Sequence, residues 1–150
     1  MNKKTKIYFF HPYSGLGGAD LSISRLINGL DKKKYEVDFI TLNKPKIKNK
    51  IKWKINYKII NSKRTFFSMK YINKYIKEDK KFKNKIFISN QNFANIVSSL
   101  FLNKNKNLKL ILFERNHIDE LNYYKNFKEY LKNKILKILI KFFYSKADLI

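Results

Sequence analysis

Apolar residues in this chain fall into short unbroken runs separated by longer periodic stretches. Five runs are rich in β-branched and aromatic side chains and are bounded by polar residues, glycine or proline, which predicts strands. These runs cover residues 6–10, 35–42, 57–60, 86–89 and 108–113. A sixth strand is predicted to begin within 146–150, "KADLI".

The longer stretches carry apolar residues three and four positions apart, which predicts helices. They are expected to run from the glycines to near residues 29–31, and over about 66–76, 94–101 and 122–144. In the last of these we expect most apolar residues to pack on the sheet and the lysines to face solvent. A basic amphipathic helix that contacts a membrane is the alternative for this stretch. The lysine-rich stretch 43–56 is predicted to be a loop or an edge segment.

Strands that alternate with helices predict an α/β fold, a Rossmann-like three-layer α/β/α domain with a mainly parallel sheet. We expect residues 1–150 to form a single domain. In such sheets ligands bind beyond the carboxyl ends of the strands. The loops at those ends are therefore the candidate ligand loops, and they read "HPYSGLGGAD", "NQN" and "ERNHIDEL".

The net charge of +23 changes this picture less than its size suggests. Lysine supplies all but three of the 34 basic residues, and the lysines are spread through the whole chain. Nucleic-acid binders favour arginine where bidentate recognition matters, so no nucleic-acid partner is expected. Weak attraction to an anionic membrane surface remains an alternative.

Residue types that commonly hold metals are scarce. The chain has no cysteine and only two histidines, His11 and His117, so neither a disulfide framework nor a metal site is expected, and no cofactor. The N-terminus lacks the apolar region of a signal peptide, and no segment is long enough to span a membrane. We expect a cytoplasmic protein, with peripheral contact at the inner face of the membrane as an alternative.

The stretch "SGLGGAD" gathers three of the four glycines directly after the first strand. Gly15, Gly17 and Gly18 would let the backbone turn sharply and let a ligand approach the N-terminus of the next helix, where anions are favoured. Asp20 stands where a dinucleotide-binding G-x-G-x-x-G motif has its third glycine, so that motif is absent. The P-loop motif is also absent, because no Gly-Lys-Ser/Thr follows. A tight strand-to-helix turn without a ligand is the alternative.

A second candidate group follows the fifth strand. Arg115, Asn116 and His117 lie in "ERNHIDEL", where the sheet would deliver His117 to the ligand edge. The alternatives are a buried or capping histidine, and an ion pair of Arg115 with a neighbouring carboxylate. For His11 and Asn90, in similar loops, turn-forming or capping roles are favoured.

Taken in order, "GLGGAD", "YEVDFITL", "ERNH" and "KADLI" resemble the N-terminal domain of glycosyltransferase family 4. The likeness covers nearly all 150 residues. It implies the N-terminal half of a GT-B fold in a sugar-nucleotide-dependent enzyme that needs no metal. It also implies that a C-terminal domain, which supplies most of the nucleotide-sugar site, is absent here.

The resemblance assigns roles residue by residue. Gly17 and Gly18 match the family's Gly-Gly loop near the donor diphosphate and the acceptor, with Gly15 adding flexibility. His117 matches a histidine near the transferred sugar and is the expected catalytic residue, with Arg115 and Asn116 as substrate contacts. Asp20 stands where the family commonly has glutamate, which keeps the charge but shortens its reach.

The resemblance therefore implies a glycosyltransferase domain that acts on a nucleotide-sugar donor and a saccharide or lipid-linked acceptor. Alone, this half is expected to be inactive. Two alternatives remain. One is a noncatalytic basic module that binds an anionic polymer or membrane. The other is a different Rossmann-like enzyme domain that uses the same loop for another phosphorylated ligand.

Overall fold

The sheet of this domain is five-stranded and entirely parallel within the part of the chain that the structure describes. That structure is a computed structural model, and it describes residues 4–102, 105–114 and 118–150. The strand order is β3-β2-β1-β4-β5. The strands are β1 (Thr5–Phe10), β2 (Tyr35–Thr41), β3 (Asn56–Ile59), β4 (Lys85–Asn90) and β5 (Leu108–Phe113).

Four helices cover the two faces of this sheet. They are α1 (Gly18–Gly29), α2 (Thr65–Glu78), α3 (Asn92–Leu102) and α4 (Phe127–Tyr144). The core on one face is closed by α1 and a 3-10 turn at Lys46–Lys50, and the core on the other face by α2, α3 and α4. The fold is therefore a Rossmann-like three-layer α/β/α domain, as the sequence predicts.

Alternation along the strands assigns side chains to the two cores. In β1, Ile7 and Phe9 pack beneath α1, whereas Tyr8 and Phe10 pack beneath α2 and α3. Because β1 is central and covered on both faces, its side chains from Lys6 to Phe10 are all buried. The buried central strand explains why its sequence is an apolar run without polar alternation.

Among the described residues, the four predicted helices and five of the six predicted strands are present, but α4 begins late and the sixth strand is not formed. The start of α4 is Phe127, five residues later than predicted, because Asn126 caps it by accepting a hydrogen bond from Glu129 N–H at 2.9 Å. Ile118–Asn122 forms a separate 3-10 turn. The sixth strand is only a single parallel bridge between Leu149 and Ile111 of β5.

The packing expected for α4 is wrong for half of its apolar residues. Only Ile140 and Tyr144 are buried, and several large apolar side chains of the helix are exposed. The helix lies on α3 at the outside of the domain, so only one side of it reaches the core. Among the described residues, no helix is long and apolar enough to cross a membrane.

A buried lysine joins β1 to β2 on the face covered by α2. Lys6 Nζ lies 2.9 Å from Glu36 Oε1 and 2.7 Å from Asp38 Oδ1, and the Tyr75 hydroxyl donates to Asp38 Oδ2 at 2.6 Å. Burial by itself would lower the pKa of Lys6, but the hydrogen bonds and charges of Asp38 and Glu36 outweigh it and raise that pKa. The ammonium therefore stays charged inside the domain.

Replacing this lysine should destabilise the domain strongly. Lys6→Met leaves the buried carboxylate of Asp38 without its cation, which should cost about 3–5 kcal/mol of unfolding free energy. Lys81→Met removes an exposed partner of the same Glu36 at 3.4 Å and should cost less than about 1 kcal/mol. Urea denaturation measures both. If the two variants lost the same unfolding free energy, the buried ion pair of Lys6 would not stabilise the domain more than the exposed one does.

Candidate functional site

The loops at the carboxyl ends of the strands meet on one edge of the sheet, beside the N-terminus of α1. The glycine loop follows β1, and it is clamped to the loop after β2 by two hydrogen bonds between Ser14 and Asn43. Ser14 N–H donates to Asn43 Oδ1 at 3.0 Å, and Asn43 Nδ2 donates to Ser14 O at 3.2 Å. These two bonds fix the position of the backbone at Ser14, directly before the first glycine of the loop.

The carboxylate of Asp20 holds the rest of the loop. It accepts hydrogen bonds from Ser14 Oγ at 2.6 Å, from Gly15 N–H at 3.1 Å and from Gly17 N–H at 3.2 Å. Asp20 is the third residue of α1, and its bond from Gly17 is one half of a capping box. The acidic side chain is buried, so it points into the loop and away from any ligand.

The pKa of Asp20 is lowered from its ordinary value. Burial acts to raise it, but the hydrogen bonds from Ser14 and the loop N–H groups favour the ionised form more strongly. The ionised side chain already places a negative charge at the start of α1. The N–H groups of Gly18 and Ala19, in the first turn of α1, have no acceptor within the helix, and groups of this kind can bind an anion.

A buried histidine and asparagine tie β1 to β4 beneath the loop. His11 Nδ1 lies 2.8 Å from Asn90 Nδ2, and His11 Nε2 lies 3.6 Å from Asp20 Oδ1. Because an amide nitrogen only donates, Nδ1 accepts, and the proton of a neutral ring sits on Nε2 facing Asp20. His11 and Asn90 thus have a larger role than the capping one expected from the sequence, since they join two strands to the glycine loop.

The glycines do not make the sharp turn that their sequence suggests. None of them has a positive φ, and Leu16 adopts the left-handed conformation instead, with φ 65°. A Cβ added at Gly15, Gly17 or Gly18 would meet nothing within 4 Å. The domain itself therefore does not require glycine at these positions. Their bare backbone borders open space, where a ligand could come close.

Two residues with side chains hold left-handed conformations in the described part of the chain, and both lie at this edge. They are Leu16 in the glycine loop and Gln91, with φ 93°, between β4 and α3. Such a conformation costs on the order of 1–3 kcal/mol and tends to occur at functional sites. Both outliers are therefore consistent with a site at the carboxyl ends of the strands.

A cleft of about 420 Å³ opens beside these residues. Ala19 in the first turn of α1 forms one wall, Gln91 and Asn92 form the next, and Lys132 and Asn133 of α4 form a third. Its volume suits a small polar ligand. Lys132 supplies a positive charge to this cleft, Gln91, Asn92 and Asn133 supply amide groups, and the remaining lining is apolar, from Phe93, Leu121 and Leu136.

The second candidate group, Arg115, Asn116 and His117, lies outside the described residues. The residues directly before this group are held by two hydrogen bonds. The Tyr144 hydroxyl donates to Glu114, and burial together with this bond raises the pKa of Tyr144. Asn95 Nδ2 donates to Phe113 O at 3.1 Å. Across the described part of the chain, no three His, Cys, Asp or Glu side chains are grouped to hold a metal ion.

The sequence interpretation missed the cleft residues on α4. Lys132 and Asn133 reach the edge because α4 packs on α3. Gln91 and Asn92 belong to the candidate ligand loop "NQN", which follows a buried strand, and both line the cleft. No local signal distinguishes Lys132 from the other lysines of its helix.

Comparisons with known proteins add one distant likeness. No protein-family model matches the chain, and no curated protein matches it. A solved structure of a UGT transferase from Siraitia grosvenorii in complex with UDP is similar, with 11% identity and a TM-score of 0.49. The match covers 79% of this chain and 29% of that one, so the chain spans less than a third of that structure's length. No residue role is taken from it.

Asp20→Asn should loosen the glycine loop and destabilise the domain. The amide cannot replace the charge that accepts bonds from Ser14, Gly15 and Gly17, so we expect a loss of about 1–3 kcal/mol near neutral pH. Asp31→Asn, at an exposed carboxylate, is the control and should change the unfolding free energy by less than about 1 kcal/mol.

The difference between wild type and Asp20→Asn should also depend on pH. The folded-state pKa is lowered, so the charge stabilises the fold fully above the ordinary value of 3.8 and less as pH falls below it. Urea unfolding at neutral and acid pH measures this. The difference in unfolding free energy between the two proteins should become smaller at acid pH. A difference that does not change with pH would contradict the assigned role of the carboxylate.

Proposed function

We propose that this chain is the N-terminal, acceptor-side domain of a sugar-nucleotide-dependent glycosyltransferase. The reaction would move a sugar from a nucleotide donor to a saccharide or lipid-linked acceptor. As partners we propose the nucleotide sugar, that acceptor and an anionic membrane surface. In this proposal the chain alone binds donor weakly and does not turn over, because a second domain would supply most of the donor site.

One observation carries the proposal: the bare glycine backbone at the start of α1 borders open space next to the cleft. Gly18 directly precedes Ala19, which lines the cleft together with Lys132 of α4, and the N–H groups of Gly18 and Ala19 have no acceptor within the helix. Helix N-terminal N–H groups and a lysine are groups that bind a diphosphate. The amide groups of Gln91 and Asn133 are suited to sugar hydroxyls.

The chemistry assigned to the loop after β5 rests on the family resemblance. We propose that His117 contacts or polarises groups at the reacting sugar, with Arg115 and Asn116 as substrate contacts. Diphosphate charge that develops on the leaving group would be stabilised by the N-terminus of α1. No metal enters this scheme.

Binding of a nucleotide sugar to this chain tests the proposal. In an amide NMR titration with millimolar UDP-glucose or GDP-mannose, resonances of residues 15–20 and 91–93 should shift most. Gly18→Val should weaken that binding about tenfold or more, equivalent to about 1.4 kcal/mol, because its branched side chain fills the open space. Gly29→Val is the matched control and should bind as wild type does.

The control is close because Gly29 also lies in α1 and a Cβ there also meets nothing within 4 Å. Inorganic pyrophosphate serves as a probe of charge alone. If all three probes shifted lysine amides throughout the chain, and Gly18→Val had no effect, the proposal would be wrong. That result would favour a basic module instead.

A further inference from the structure

The outer side of α4 carries an apolar stripe that the other described residues leave about half exposed. Leu131, Ile135, Ile138 and Phe142 follow one another at intervals of four, three and four residues, so they share one side of the helix. Their exposed fractions lie between 48% and 61%. Ile138 and Phe142 are each two residues from the buried Ile140, which places the stripe on the side away from the core.

Lysines flank this stripe on both sides. Lys128 and Lys132 lie on one flank, and Lys134 and Lys141 lie on the other, from the helical spacing of the sequence. The only acidic residue of α4 is Glu129, whose carboxylate accepts from Lys125 N–H at the beginning of the helix. The outer surface of α4 is therefore apolar in the middle and positively charged along both edges.

The charge pattern decides between possible occupants of the stripe. In a second copy packed stripe to stripe, the lysine rows would face one another and repel, since they have no acidic partners. Interfaces with other proteins are depleted in lysine. A bilayer with anionic headgroups matches both features, because lysine stems extend from an apolar contact to reach phosphates.

We propose that the outer face of α4 docks on an anionic phospholipid bilayer. The four apolar side chains of the stripe enter the acyl boundary, and Lys128, Lys134 and Lys141 on its flanks contact lipid phosphates, while Lys132 lines the cleft. Exposed aromatic side chains at the N-terminal end of the helix, of the kind found at membrane interfaces, extend the contact. They are Tyr123, Tyr124 and Phe127. The docking does not depend on the proposed transferase activity.

An apolar groove links this face to the cleft at the strand ends. The groove, about 530 Å³, is lined by Leu131 and Ile135 of the stripe together with Phe93 of α3. It shares Phe93, Lys132 and Leu136 with the cleft beside the glycine loop. A domain docked through α4 would therefore hold the cleft close to the bilayer surface.

Vesicle cosedimentation tests the docking. The chain should bind vesicles of phosphatidylglycerol and phosphatidylcholine more tightly than vesicles of phosphatidylcholine alone. Ile138→Ser/Phe142→Ser should weaken binding at least about tenfold, because apolar area no longer leaves water. Lys134→Gln/Lys141→Gln should weaken it about 30-fold, from the usual effect of two lysines near an anionic surface.

Lys46→Gln/Lys50→Gln removes the same charge from the opposite face of the sheet and is the matched control, expected to stay within about threefold of wild type. Circular dichroism confirms folding of each variant. The proposal is overturned if the control pair weakens binding as much as the α4 pair, or if the serine variant binds as wild type does. It is overturned equally if light scattering finds a dimer that the serine variant dissociates and vesicles do not bind.

Discussion

The carboxylate of Asp20 is the interaction on which the carboxyl edge of this domain depends. It is buried at the start of α1, accepts bonds from Ser14, Gly15 and Gly17, and lies 3.6 Å from the ring of His11. Through His11 and Asn90 the same carboxylate is linked to both β1 and β4. A single ionised group thus sets the path of the loop.

Much of the fold could be predicted because its signals are local. β5 has the predicted bounds, 108–113, since a short apolar run between polar segments fits a strand that is largely buried. The start of α4 was misplaced although its signal is present, because Asn126 followed by Glu129 three positions later is a capping pattern. The loop 43–56 is packed more closely than expected, since Ile47 is buried and Trp53 donates to Ile27 O at 3.0 Å.

The loops of the candidate site could be predicted, but the contacts between them could not. The glycine stretch is recognisable in the sequence, but the conformation of Leu16 and the inward turn of Asp20 depend on hydrogen bonds between segments. The pairing of His11 with Asn90 depends on β4 lying beside β1 although 79 residues separate the two side chains in sequence. Strand order depends on the whole sheet, so it cannot be predicted from a short stretch of the sequence.

The two apolar sides of α4 show why composition alone could not decide the role of that helix. A helix that is apolar nearly all round is usually buried, and the sequence was interpreted in that way. Here Ile140 and Tyr144 are buried and Leu136, Leu139 and Phe143 pack against the core, whereas the opposite side is exposed among the described residues. Lysines along both flanks make contact with an anionic surface more favourable than contact with another such helix. The same helix contributes Lys132 and Asn133 to the cleft, so anything bound to its outer side would lie next to that cleft.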